Sequence, residues 1–148
     1  MITENFNITL AAQNALSQIE HFTTVLNQET ALVRTQAHHE VTGLQHIKLQ
    51  AAQTYQQAIL LLQDHAPLLA QLPDMLRDAL KTAYNYASRA MVDNVAALQA
   101  ATKVAERMVR VIMQAAKETV MDGPNYNAHA YTGPNARTPV HFQLNEVL

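Results

Sequence analysis

The chain has 148 residues, and its ten basic and twelve acidic side chains give a net charge of −2. A charge this close to zero provides no general attraction toward polyanions, which argues against nucleic acid or anionic membrane as a partner. Cysteine is absent, so disulfides and thiolate metal sites are excluded. Neither a secretory leader nor an apolar run long enough for a bilayer is recognisable, and we therefore expect a cytoplasmic protein without membrane insertion.

The first predicted element is a long α-helix over about residues 6–65, which Thr3 or Asn7 could cap. This stretch is rich in Ala, Gln and Leu, which lose little conformational freedom in a helix. Its apolar residues recur at near-heptad spacing, as in coiled coils. The apolar pattern thins at residues 38–43, where Gly43 permits a bend and no proline enforces a break.

The second predicted helix follows a turn between Pro67 and Pro73. Asp74 is a suitable N-cap, and an apolar stripe then continues from Leu76 to Asp122. The sequence thus predicts an all-α fold, a long antiparallel helical hairpin or bundle with coiled-coil character, that reverses once at these prolines. Because two helices bury only one narrow seam, a third segment or a second copy is expected to cover the rest.

The predicted domain spans residues 1–122, and an irregular tail containing Gly and Pro spans residues 123–148. Two tyrosines of this tail, Tyr126 and Tyr131, either pack back onto the helices or anchor a partner. The final residues 140–148 are apolar at helical spacing and also alternate as in a strand. They either dock on the chain's own helices or are captured by another protein.

The second helix is apolar on more than one side near its C-terminal end. The residues concerned are Val104, Met108, Val111 and Ile112, together with Val92, Val109, Met113 and Met121. One interpretation is burial within a three- or four-helix bundle. The other is a groove for a partner helix, where flexible methionines adapt to different ligands.

Motifs that carry catalysis or bind metal are not found in the sequence. His38, His39 and His46 lie close together, but neither H-E-x-x-H nor Glu-x-x-His occurs, so we interpret them as surface residues. A nucleophile elbow, a phosphate loop and a dinucleotide fingerprint are also missing. We therefore expect no enzyme activity, no catalytic residue, no cofactor and no bound metal.

Two segments carry a resemblance to a known family. They are LNQETALVRTQAHHEVTGLQHIKLQAAQTYQQAI at 26–59 and DNVAALQAATKVAERMVRVIMQAAKE at 93–118. The chain resembles the FlgN-type flagellar export chaperones, small α-helical proteins of bacterial flagellar type III secretion. The positions that match the family's pattern are Leu26, Glu29, Leu32, Arg34, Leu44, Lys48, Asn94 and Leu98, followed by Tyr131 and Gly133.

This resemblance implies a function as a cytoplasmic chaperone. Such proteins bind the disordered terminal segments of hook-associated proteins at the hook–filament junction and deliver them to the export gate. The client would lie beside Val104, Met108, Val111 and Ile112, and Tyr131 or Tyr126 would contact the gate protein. The alternative is a structural coiled-coil or scaffold protein that self-associates as a homo-oligomer. A weaker alternative is a regulator whose histidines sense pH or metal.

Overall fold

The computed structural model describes residues 6–121, with side chains to residue 118, and nearly all of this stretch is helical. Three α-helices, α1 (Ile8–Arg34), α2 (His38–Asp64) and α3 (Asp74–Met121), are joined by one short 3₁₀ helix, Ala66–Gln71. No strand occurs between residues 6 and 121. The predicted all-α fold class is therefore confirmed.

The start of α1 follows from a side-chain cap. Asn7 precedes the helix, and its Oδ1 accepts a hydrogen bond of 3.1 Å from the backbone N–H of Leu10. This bond satisfies one of the amide groups that the first helical turn leaves unpaired. Of the two predicted caps, Asn7 is the one that the helix uses.

The prediction of one continuous helix over residues 6–65 is wrong. The chain reverses at residues 35–37, where Gln36 takes a positive φ of 58°. Gly43, the predicted bend, lies inside α2. The break escaped prediction because it contains neither Gly nor Pro. Instead, the backbone N–H of Thr35 donates to the carbonyl of Ala31, and the N–H of Ala37 donates to that of Leu32.

The reversal predicted between Pro67 and Pro73 is confirmed, although it takes the form of a 3₁₀ helix. Leu72 at its end is buried against Ile8, Ala12 and Ala15 of α1. Beside this turn, the rings of Phe6 and His65 stack with centroids 3.7 Å apart. The chain therefore reverses twice and forms three α-helices. The third segment that the sequence analysis expected comes from the chain itself.

By their contacts, residues up to Met108 form one compact unit, and α3 continues from Val109 in a second. In the first unit, α1 and α2 contribute large side chains to the core, among them Phe22 and Tyr55, whose rings lie 4.8 Å apart. The fully buried positions of α3 are mostly small, whereas larger side chains such as Leu80 and Met91 are half-buried on the same face. The buried residues of α3 are Ala83, Ala87, Ala90, Asn94 and Ala97. Pairing large with small residues allows helices to pack closely without voids.

No helix between residues 6 and 121 is both long enough and apolar enough to cross a bilayer.

Candidate binding surface on α3

The four residues predicted to bind a partner all lie on α3 and are all exposed. The exposed fractions are 46% for Val104, 60% for Met108, 63% for Val111 and 64% for Ile112. Every residue from 102 to 118 is exposed in the same way. Burial within the chain's own bundle therefore does not account for these apolar side chains.

Three columns of residues, each advancing in steps of seven, run along α3, and up to Ala101 they form the face that packs against α1 and α2. They are Leu76, Ala83, Ala90, Ala97, Val104 and Val111; Leu80, Ala87, Asn94, Ala101, Met108 and Ala115; and Arg77, Tyr84, Met91, Leu98, Ala105 and Ile112. Steps of seven keep a side chain on nearly the same side of a helix. All members up to residue 101 are buried or half-buried, and all members from Val104 onward are exposed. The three columns are therefore packed only up to Ala101.

The same stretch also carries basic side chains. It contains Lys103, Arg107, Arg110 and Lys117, and none of these four forms an ion pair with a described residue. Met113 also lies outside the three columns, in a column that is exposed along the whole of α3 and includes Val92. Residues 102–118 therefore expose both apolar and basic side chains, and the apolar ones are not confined to one side of the helix.

A buried polar network fixes the three helices relative to one another before this surface begins. Glu29 of α1 is only 1% exposed and forms an ion pair of 2.5 Å with the Nζ of Lys48 on α2. The amide Nδ2 of Asn94 on α3 donates to Glu29 Oε2 at 2.7 Å and to Thr30 Oγ1 at 3.2 Å. Lys48 in turn donates to Asn94 Oδ1 at 3.1 Å, and Gln45 Nε2 donates to Glu29 Oε1 at 2.7 Å.

The network keeps the Glu29 carboxylate ionised. Burial by itself raises the pKa of this group, but hydrogen bonds from Gln45, Lys48 and Asn94, with the positive charge of Lys48, outweigh it and leave the pKa below its usual value. Both carboxylate oxygens are satisfied. Such a buried network favours one alignment of the three helices. If one helix shifted along another, the Glu29 carboxylate would lose its partners and remain buried as an unpaired charge.

Sequence reasoning from residue patterns did not find this network, although a signal was present. Glu29 lies at steps of three and four from buried Leu26 and Val33, and Asn94 lies at such steps from Ala90 and Ala97. A polar residue at a seam position on each of several helices indicates a shared buried contact. Its partner could not be assigned without the reversal at residues 35–37.

A second apolar surface lies in the first unit, near the C-terminal end of α2. It is an open cleft of about 480 Å³, with Arg77 and Lys81 beside its apolar walls. The wall residues are Ile19, Ile59, Leu62, Leu69, Leu72, Leu80 and Tyr84. The cleft therefore offers a mainly apolar surface with two basic side chains beside it.

The remaining predicted site residues divide into two groups. His38, His39 and His46 are exposed, as expected of surface histidines. Within residues 6–121, no three His, Cys, Asp or Glu side chains come close enough together to hold a metal ion. Tyr126, Tyr131 and the apolar segment 140–148 lie outside the described residues.

Comparisons with known proteins returned no match of any kind: no family model, no curated protein and no solved structure is similar to this chain.

Proposed function

We propose that this protein is a cytoplasmic export chaperone of the flagellar type, which holds disordered terminal segments of hook-associated proteins until it delivers them to the export gate. The observation that carries the proposal is the exposure of the apolar side chains Val104 and Met108 in the first unit and of Val111 and Ile112 in the second. Contiguous exposed apolar surface of several hundred Å² marks interaction sites in soluble proteins. A chaperone for disordered segments requires such a face.

The chemistry of this face suits a helical client. Val104, Met108, Val111 and Ile112 provide aliphatic and thioether surface without a buried polar group that would demand a fixed partner. A disordered segment with apolar residues at helical spacing can fold as it binds, laying its apolar side along this face. Methionine adapts its shape to different side chains, which allows more than one client to be held.

The network around Glu29 lends further support. Glu29, Lys48 and Asn94 are three of the positions at which the chain resembles the FlgN-type chaperones, and they contact one another directly. The two segments that carry the resemblance, 26–59 and 93–118, are therefore joined by this network in the fold. By resemblance, Tyr131, with Tyr126 as the second choice, contacts the gate protein.

The test is a titration of purified protein with synthetic C-terminal segments of the hook–filament junction proteins. Val111→Asp places a charge where the client packs, and desolvating it there costs several kcal/mol. The matched control is Met113→Asp, since Met113 is exposed to a similar degree but lies outside the three columns. We expect Val111→Asp to abolish binding and Met113→Asp to retain it, with unchanged helicity in both. Absence of binding by the unmodified protein would reject the proposal.

The second candidate is a structural protein that self-associates, favoured by the same exposed face. A second copy could bury this face against its own. Sedimentation equilibrium distinguishes the two functions. A stable homo-oligomer that Val111→Asp converts to monomer, and that fails to bind client segments, supports the structural protein.

A further inference from the structure

We propose that the cleft near the C-terminal end of α2 binds a single-chain anionic amphiphile, namely a free fatty acid of medium chain length. All residues that line the cleft precede Met108, so the cleft lies within the first unit. It shares no residue with the surface used in the proposed function. The inference therefore goes beyond that function and does not depend on it.

The walls of the cleft are apolar and come from four elements. They are Ile19 of α1, Ile59 and Leu62 of α2, Leu69 and Leu72 of the 3₁₀ helix, and Leu80 and Tyr84 of α3. Ile59, Leu69 and Leu80 are only half-buried, so packing within the chain leaves part of each side chain in contact with water. Burial of this remaining surface favours binding of an apolar ligand.

The size of the cleft favours a slender ligand over a partner helix. An α-helix with its side chains is about 10 Å wide, so a volume of about 480 Å³ accommodates only about one turn of it. The same volume falls within the range of roughly 300–1,000 Å³ that is usual for small-molecule sites. An unbranched aliphatic chain is much thinner than a helix and can adapt its torsions to walls that come from several elements.

The charges beside the cleft indicate the polar end of the ligand. Arg77 and Lys81 lie one turn apart on α3 and both line the cleft, whereas no carboxylate of the described residues does. Arg77 forms an ion pair with Asp74, but Lys81 forms none with any residue in the described part of the chain. Lys81 is therefore the cation that remains for an anion. An ammonium group beside apolar walls complements a fatty acid, which has one carboxylate and one aliphatic chain.

The test is calorimetric titration of the full chain with dodecanoate below its micelle concentration. The matched probe is dodecyltrimethylammonium, which has the same aliphatic chain and the opposite charge. We expect dodecanoate to bind at one site per chain and at least about tenfold more tightly than the cation. Lys81→Glu should weaken dodecanoate binding by about tenfold or more. The control is Lys103→Glu, an exposed position of the same helix outside the cleft, which should leave binding unchanged.

A steric variant tests whether the aliphatic chain lies in the cleft. Ile59→Trp fills the cleft and should abolish dodecanoate binding. Ile47→Trp makes the same change at an exposed position of α2 and should not. Circular dichroism checks that both variants keep their helices. Because Lys81 is exposed, the charge variants decide the question even where Ile59→Trp lowers the helicity.

Several results would overturn the proposal. These are absence of dodecanoate binding, equal affinity for the two amphiphiles, equal effects of Lys81→Glu and Lys103→Glu, and full binding by a folded Ile59→Trp variant. Displacement of dodecanoate by the hook-protein segments would also overturn it, because the cleft would then be a groove for protein. Failure of those segments to bind at all rejects the flagellar function and leaves this inference standing.

Discussion

Asn94 on α3 donates a hydrogen bond of 2.7 Å to the carboxylate of Glu29 on α1, and both side chains are buried. The contact joins residues 65 positions apart in the sequence and lies in the same column of α3 as Met108. This hydrogen bond therefore helps to align the packed part of α3 with α1, while Lys48 links the same pair to α2.

Removing the amide should destabilise the fold. Asn94→Ala leaves Glu29 without one of its donors, and a lost hydrogen bond to a buried charge costs about 1.5–3 kcal/mol. Chemical denaturation monitored by circular dichroism measures this free energy of unfolding. The control is Asn85→Ala, an exposed position of the same helix, for which a change within about 0.5 kcal/mol is expected. Equal effects of the two substitutions would contradict a structural role for Asn94.

Acid should remove the stabilisation that Glu29 provides. Its pKa is lower in the folded chain than in the unfolded chain, so the unfolded state takes up the proton first. The contribution is therefore complete above about pH 5 and is lost as the pH falls through the folded-state value. We expect the difference in unfolding free energy between the unmodified protein and Glu29→Gln to be largest at neutral pH and to shrink below about pH 4. A difference independent of pH would contradict this interpretation.

Removing the hydroxyl of Tyr55 should stabilise the protein. This side chain is buried between helices against Phe22, and its oxygen has no hydrogen-bond partner among the described residues. Burial, with a smaller effect of Tyr84, raises the pKa of Tyr55 to about 12. Tyr55→Phe keeps the ring contact and removes an unpaired polar group, for a gain of about 1 kcal/mol. Its advantage should increase above about pH 10, where ionisation opposes folding of the unmodified chain. A lower melting temperature for Tyr55→Phe would show that the hydroxyl is satisfied.

Two substitutions near the first reversal should each increase stability. Gln36→Gly relieves a positive φ that costs a residue with a side chain about 1 kcal/mol. Gly43→Ala improves helix propensity inside α2 by a similar amount, because an added Cβ meets nothing within 4 Å. Denaturation midpoints of the single and double variants should show additive gains. Destabilisation by Gly43→Ala would indicate that residue 43 does not remain helical.

The sequence sufficed for the fold class and the turn between Pro67 and Pro73, and it narrowed the first cap to Thr3 or Asn7, because each depends on local chemistry. The reversal at Gln36 was missed because local backbone hydrogen bonds close it with Gln36 at a positive φ, a conformation that its residue type does not favour. The buried role of Asn94 was missed because Glu29 becomes its partner only after two chain reversals. The periodicity of Val104, Met108, Val111 and Ile112 left both a bundle core and an exposed surface open, and the structure shows all four exposed.

The length of α3 has a consequence for hydrogen exchange. An isolated helix of the length of residues 102–118 is marginal in water, because the first turn is costly to nucleate. Here the packed turns before Ala101 provide the nucleus, and each later residue adds only the small free energy of propagation. Amide protons should therefore exchange progressively faster from residue 102 toward residue 121, through fraying rather than global unfolding. A bound partner would slow this exchange along the apolar face, so protection there reports occupancy residue by residue without any label on the ligand.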